Sequence, residues 1–119
     1  MDHYYKLISK QDKTKSFVIN KRAAIYFFKL PHLNHGDEFT INIIFKGVTE
    51  IVKTVVHQDV RILLKFKEYK IGDIAYFKKQ ENGLFLLHII SKNDEIQKIK
   101  SYLNSKNYYL SNQSINYGN

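Results

Sequence analysis

Apolar and polar residues alternate with period two in short runs along most of the chain, and the period lengthens to that of a helix at only two places. Tyr4 to Ser9 reads as a first strand with Tyr5 and Leu7 on one face, and Ser16 to Ile19 as a second. Between them, Lys10 to Lys15 carries no apolar residue; burial cannot offset the entropy of ordering it, so it is expected as an exposed arm. At Asn20 the period changes. From Lys21 to Lys29, residues Ala24, Ile25 and Phe28 fall on one stripe, which predicts about two turns of helix ending before Pro31. Leu30 to Gly36 is a connector punctuated by Pro31, Asn34 and Gly36.

The clearest strand runs from Phe39 to Phe45, with Phe39, Ile41, Ile43 and Phe45 on one face. Lys46-Gly47 then turns the chain, and the β-branched stretch Val48 to Val56 returns antiparallel. His57, Gln58 and Asp59 form a polar loop before Val60 to Leu64 resumes the apolar run. Lys65 to Lys70 is an amphipathic connector, Ile71-Gly72-Asp73 a turn, and Ile74 to Lys78 a strand. Asn82-Gly83 marks a hairpin tip before a returning strand at Leu84 to Ile90, apolar enough to be buried on both faces. Asn93 or Asp94 caps a last helix reaching about Leu103, with Ile96, Ile99 and Leu103 on one face. The remainder, rich in Asn and Ser, reads as a linker or tail leading toward a further domain. Short, mostly antiparallel strands with helices at the ends predict a mainly β, α+β fold, in which a nearly closed barrel is favoured over an open sheet.

Charge changes this picture. Nineteen Lys plus Arg stand against 11 Asp plus Glu, a formal charge of +8 that favours a polyanionic partner. Almost all of it is lysine; only Arg22 and Arg61 carry a planar fork able to read guanine or clamp a phosphate. The chain has no cysteine, which excludes a disulfide framework, a zinc ribbon and a thiol nucleophile. The histidines show no metal-ligand spacing, so no metal or other cofactor is assigned. With no signal-peptide pattern and no apolar run of about 20 residues, a soluble cytoplasmic protein without a membrane partner is expected.

Three stretches in order, FVINKRAAIYFF, GDEFTINIIF and VRILLKFKEYKIGDIAYFKKQENGLFLLHI, together carry a family likeness. They resemble the B-three DNA-binding domain of plant transcription factors, in which a strand ending in an isoleucine-proline-lysine-type motif leads into a helix and a later GD turn precedes a hairpin. Asn20 stands where the proline is usual, and the tryptophans of the plant domains are absent. The chain is more similar to the bacterial branch of that fold, the EcoRII effector domain and the N-terminal domains of McrBC-type restriction endonucleases such as LlaJI, with the likeness covering about Tyr4 to Ser91. It implies a seven-stranded open pseudobarrel, mostly antiparallel, with two or three short helices, spanning residues 1–92, and a helix and linker over 93–119.

The resemblance also implies a wrench-like grip on double-stranded DNA, with two arms entering the major groove. Carried over by position, the first arm comprises Ser9, Lys10, Gln11, Asp12, Lys13, Thr14 and Lys15 with Asn20, Lys21 and Arg22 at the start of the following helix. The second comprises Thr54, His57, Gln58, Asp59 and Arg61. The residue types suit such a grip, since Lys10, Lys13, Lys15 and Lys21 can neutralise phosphates, while Gln11, Asp12, Gln58, Asp59 and Arg61 can address base edges. Plainer roles compete. A lysine-rich loop is commonly just solvated, Arg61 can pair with Asp59, and Arg22 can lie over the aromatic helix. Tyr26, Phe27 and Phe28 read more simply as core than as stacking platforms. Asp59 with Glu68-Tyr69-Lys70 superficially resembles a metal-dependent nuclease set, but its spacing is short, and the chain is expected to bind without catalysing, other subunits of a restriction complex supplying the chemistry. The competing class is an RNA- or modified-base-binding barrel of the PUA or EVE type; a third reading is a protein-interaction domain.

Overall fold

The computed structural model describes residues 2–105 and the backbone of 115–117. Its strands are β1 (His3–Leu7), β2 (Phe17–Ile19), β3 (Glu38–Phe45), β4 (Val48–Val56), β5 (Val60–Ile62), β6 (Ile74–Lys79), β7 (Leu84–Ile90) and β8 (Ile115–Tyr117), and its helices α1 (Lys10–Thr14), α2 (Lys21–Tyr26) and α3 (Asn93–Ser105). The sheet order is β2-β5-β4-β3-β7-β6-β1-β8, antiparallel throughout except for the parallel pair β3–β7. The seven strands expected from the sequence curl into a nearly closed barrel, and the short β8 adds to the edge of β1. Apart from that strand, the stretch read as a tail lies outside the described residues.

Local chemistry sets the turns. Lys46 and Gly47 both adopt positive φ, 51° and 78°, the geometry whose twist matches a tight hairpin, and β3 and β4 pair in register on either side. In the GD turn, Gly72 takes φ 94° and donates its N–H to the Ile8 carbonyl, while Asp73 Oδ2 accepts from Lys70 N–H at 2.9 Å and Ser91 Oγ at 3.1 Å. The motif thus ties the end of β1 to the starts of β6 and α3.

Inside the barrel, Tyr4, Phe17, Phe27, Phe28, Phe77 and Phe85 form one aromatic cluster, edge-on or tilted with centroids 4.8–6.0 Å apart. Burial of each such ring contributes about 1.5–3 kcal/mol. A second, smaller cluster lies outside the sheet, where Ile96 of α3 packs on Ile74 and Ile90 with Tyr5, Leu7 and Tyr76 beside them. Both faces of β1 are therefore covered. Tyr4 and Ile8 face the main core, whereas Tyr5 and Leu7, the pair visible in the sequence, face α3.

Two other expectations are corrected. The span Lys10–Lys15 is not an irregular arm: Lys10–Thr14 is a single helical turn. In α2, Ile25 and Tyr26 are 42% and 53% exposed, not core, because the helix ends at Tyr26 and the chain turns through Lys29 at φ 59°. That exit brings Ala23, Ala24, Phe27 and Phe28 inward instead.

β1 and the end strand β2, which do not pair with each other, are joined in sequence by α1. There Lys6, fully buried on the core side of β1, donates its ammonium both to Asp12 Oδ1 and to the Val18 carbonyl on β2. Asp12, also fully buried, accepts at Oδ1 from Val18 N–H at 2.8 Å and at Oδ2 from Ser9 N–H at 2.8 Å and Ser9 Oγ at 3.0 Å. Loss of hydration dominates at Lys6 and pulls its ammonium down to about 8, against the upward pull of Asp12. Between about pH 8 and 10.5 the folded chain therefore binds fewer protons at Lys6 than the unfolded chain, so this group adds stability as pH rises through that window. Lys6→Met strands the Asp12 carboxylate and is expected to cost about 3–5 kcal/mol in urea denaturation at pH 7. The gap from the unmodified chain should widen between pH 8 and 10; a constant or shrinking gap would contradict a desolvation-dominated pair.

Candidate nucleic-acid interface

The first expected arm is divided by one short strand pair: Ser9–Lys15 lies at one end of it, while Asn20, Lys21 and Arg22 lie at the other end beside the second arm. β2 and β5 match Phe17 with Ile62, Val18 with Arg61 and Ile19 with Val60. At the Phe17 end α1 leads into β2; at the Ile19 end lie Asn20, the start of α2, and the loop His57–Asp59 between β4 and β5. Three strand residues span roughly 10 Å, so the arms flank a narrow outer face.

Ser9-x-x-Asp12 builds the first arm. Ser9 caps α1, Asp12 N–H approaching its hydroxyl at 3.5 Å and Asp12 Oδ2 accepting from its N–H, which makes a capping box. That four-residue spacing is the sequence signal by which α1 could have been found. Asp12 is thereby withdrawn from base reading: a carboxylate buried under four donors cannot reach a groove. Lys13 turns its ammonium to the Lys67 carbonyl and over the Tyr69 ring at 5.5 Å, and Thr14 Oγ1 donates to the Lys10 carbonyl at 2.8 Å. Lys10 and Lys15 remain exposed, and Gln11 is half-buried.

Asn20 serves α2 as N-cap, its Oδ1 accepting from Ala23 N–H at 2.7 Å. Lys21 and Arg22 follow, both exposed, with the Arg22 guanidinium 5.8 Å from the centre of the Tyr26 ring. In the second arm, His57 N–H donates to the Asp59 carbonyl at 2.7 Å and closes a tight tip that leaves Gln58 exposed. Gly36 and Asp37 brace this tip through backbone bonds to Val56. Val60 and Ile62 point into the core, so Arg61 projects from the outer face between the arms, where Nε donates to Asp59 Oδ1 at 2.9 Å. One donor of the guanidinium is used in that bond; no further partner for it occurs among the described residues.

Thr54 does not belong to the surface. It pairs with Phe39 on the inner face of β4, is 1% exposed, and its hydroxyl finds no hydrogen-bond partner among the described residues. Asp59 and Glu68 do not converge either: Asp59 pairs with Arg61, and Glu68 with Lys46 at 2.7 Å. Among the described residues, no three His, Cys, Asp or Glu side chains are grouped to hold a metal, and no helix is long and apolar enough to cross a membrane.

Sequence reasoning missed Lys6, Lys67 and Tyr69. Lys67 Nζ donates to the Asp12 and Lys15 carbonyls at 3.1 and 2.9 Å, and Tyr69 OH to the Asp12 carbonyl at 2.9 Å. Burial, with Asp12 nearby, pushes the Tyr69 phenol up to about 12, so it stays protonated and donating at neutral pH.

No family model and no curated protein sequence matches the chain. Among solved structures, it is similar to the N-terminal domain of Helicobacter pylori LlaJI.R1, with a TM-score of 0.64 over 87% of this chain and 99% of that one, at 23% sequence identity. The two share a fold. The LlaJI.R1 domain is matched over nearly its whole length, so the likeness takes in the barrel and is not confined to a hairpin.

Removing the orphaned hydroxyl tests the reassignment of Thr54. Thr54→Val keeps the shape and is expected to leave thermal stability unchanged or raise it by about 1 kcal/mol, with nucleic-acid binding untouched. A loss of binding without a loss of stability would return Thr54 to the interface.

Proposed function

We propose that this chain recognises double-stranded DNA through the major groove, as the target-recognition domain of a cytoplasmic restriction endonuclease of the McrBC-like kind whose cleavage chemistry resides in other domains or subunits. The observation that supports this best is the position of α1 and the His57–Asp59 loop at the two ends of the β2–β5 pair, in a fold shared with the LlaJI.R1 domain. The strand pair between them is roughly 10 Å long, a length of the same order as the width of the major groove, about 12 Å. Lys10, Lys15, Lys21 and Arg22 are exposed around the two ends and suit phosphates; Gln58 at the loop tip and Arg61 between the arms suit base edges. The ion pair to Asp59 holds the Arg61 fork in one orientation, which lowers the entropy lost on engaging a base.

Titration with duplex DNA, duplex RNA and single strands at two salt concentrations tests the reading. Duplex DNA should bind most tightly, with a steep loss of affinity as salt rises. Lys10→Ala or Lys21→Ala should weaken binding to all duplexes alike and lower the salt slope by about 1 each, whereas Gln58→Ala or Arg61→Ala should cost about 1–3 kcal/mol on the preferred sequence only. RNA binding as tight as DNA binding would favour the PUA-like alternative and overturn the proposal.

A further inference from the structure

We propose that the connector between β5 and β6 is a clasp that holds α1 in its binding pose, with Lys67 and Tyr69 as positioning residues for DNA recognition. The assignment rests on the DNA-binding reading above. A five-residue helix does not persist by itself, because one turn fixes several dihedrals for very few hydrogen bonds. The capping box secures only its amide end. Its carbonyl end is secured from more than 50 residues away in sequence, by Lys67 Nζ on the Asp12 and Lys15 carbonyls and by Tyr69 OH on the Asp12 carbonyl. Lys13 returns the contact by donating to the Lys67 carbonyl. A cation at this end also complements the partial negative charge of exposed helix carbonyls.

The clasp is itself anchored. Tyr69 is 3% exposed and packs edge-on against Phe17 of β2 and against Phe66. Phe66 stacks face to face on Phe45 of β3, with centroids 4.0 Å apart and planes within 5°. Glu68 pairs with Lys46 in the β3–β4 turn, and Asp73 Oδ2 fixes Lys70 N–H at the far end. A segment without regular secondary structure is thereby pinned on both sides of Lys67, and α1 inherits the position of the barrel wall. Lys67 directs two of its three donors, and Tyr69 its hydroxyl, to carbonyls of α1 and its cap Lys15, so their effect on DNA passes through the residues presented there, Lys10, Gln11 and Lys15.

The test uses Tyr69→Phe, which keeps the ring; Lys67→Met, which keeps the stem; their combination; and Lys67→Arg. Binding is measured to the duplex enriched by the unmodified chain from a randomised DNA pool and to random duplex, alongside amide exchange at Lys13 and Lys15. The combined variant should lose about tenfold in affinity for the enriched duplex and less than about twofold for random duplex, with an unchanged salt slope. Exchange at Lys13 and Lys15 should quicken while that of β3 and β4 stays as it was, and Lys67→Arg should retain affinity. Equal losses on both duplexes with a shallower salt slope would make Lys67 a phosphate contact and overturn the assignment. Faster exchange without any loss of affinity would equally overturn it, as would exchange that does not change. Should the unmodified chain enrich no duplex, the DNA reading fails and the recognition role of the clasp with it, while exchange alone still decides whether the connector holds α1.

Discussion

Lys6 and Asp12, both shut away from water, bridge β1 to β2, the strand at which the sheet begins, although these two strands do not pair with each other. A curled sheet whose end strands do not pair leaves backbone groups without partners, and buried ones are costly. Here the lysine supplies the donor that the Val18 carbonyl of β2 lacks, and the aspartate the acceptor that its N–H lacks. Burying the two charges is expensive, as the lowered affinity of Lys6 for its proton shows, so the pair is better regarded as fixing where β2 lies than as a net source of stability. The outer face depends on that position: β5 is held between β2 and β4, and with β4 it carries Arg61 and the loop ahead of it.

The same aspartate organises the first arm from within. Its carboxylate caps α1 and holds Lys6 of β1 and the Val18 N–H of the edge strand β2, and its carbonyl receives Lys67 and Tyr69. Seam, helix and connector therefore converge on one residue, and the arm is tied at both ends although it is a single turn long. The second arm is held differently, as a three-residue loop closed by its own backbone and braced by Gly36 and Asp37. Arms tied down in these ways limit the entropy lost on docking and favour discrimination over adaptable binding.

Most of the barrel was legible: Phe39 to Phe45 reads from its alternation and Leu84 to Ile90 from its apolar run, as do the turns at Gly47 and Asn82-Gly83, but the second of these strands is not buried on both faces, His88 being exposed. The facing of β1 was not. Lys6 on the core face interrupts the pattern, so that Tyr5 and Leu7 stand out although they face α3. Ile25 is misplaced by periodicity because its helix stops a turn early, a decision made by Phe27 and Phe28 packing in the barrel. Asp12 sits in a run of polar residues and looks exposed by composition; only its distant partners reveal that it is buried. Tyr69 lies 57 residues from the carbonyl it holds, and no local pattern encodes such a contact. The fold was thus readable from periodicity, whereas the residues that hold α1 against the barrel, Lys6, Asp12, Lys67 and Tyr69, were not.

Backbone amide shifts followed by NMR during titration with duplex DNA test the central claim most directly, because every face of the molecule reports at once. A face built on the Lys6–Asp12 seam predicts that the shifts concentrate in Ser9–Lys15, Asn20–Arg22 and His57–Arg61. Shifts gathered instead on α3, or on the outer surface of β3 and β7, would place DNA elsewhere and contradict the account.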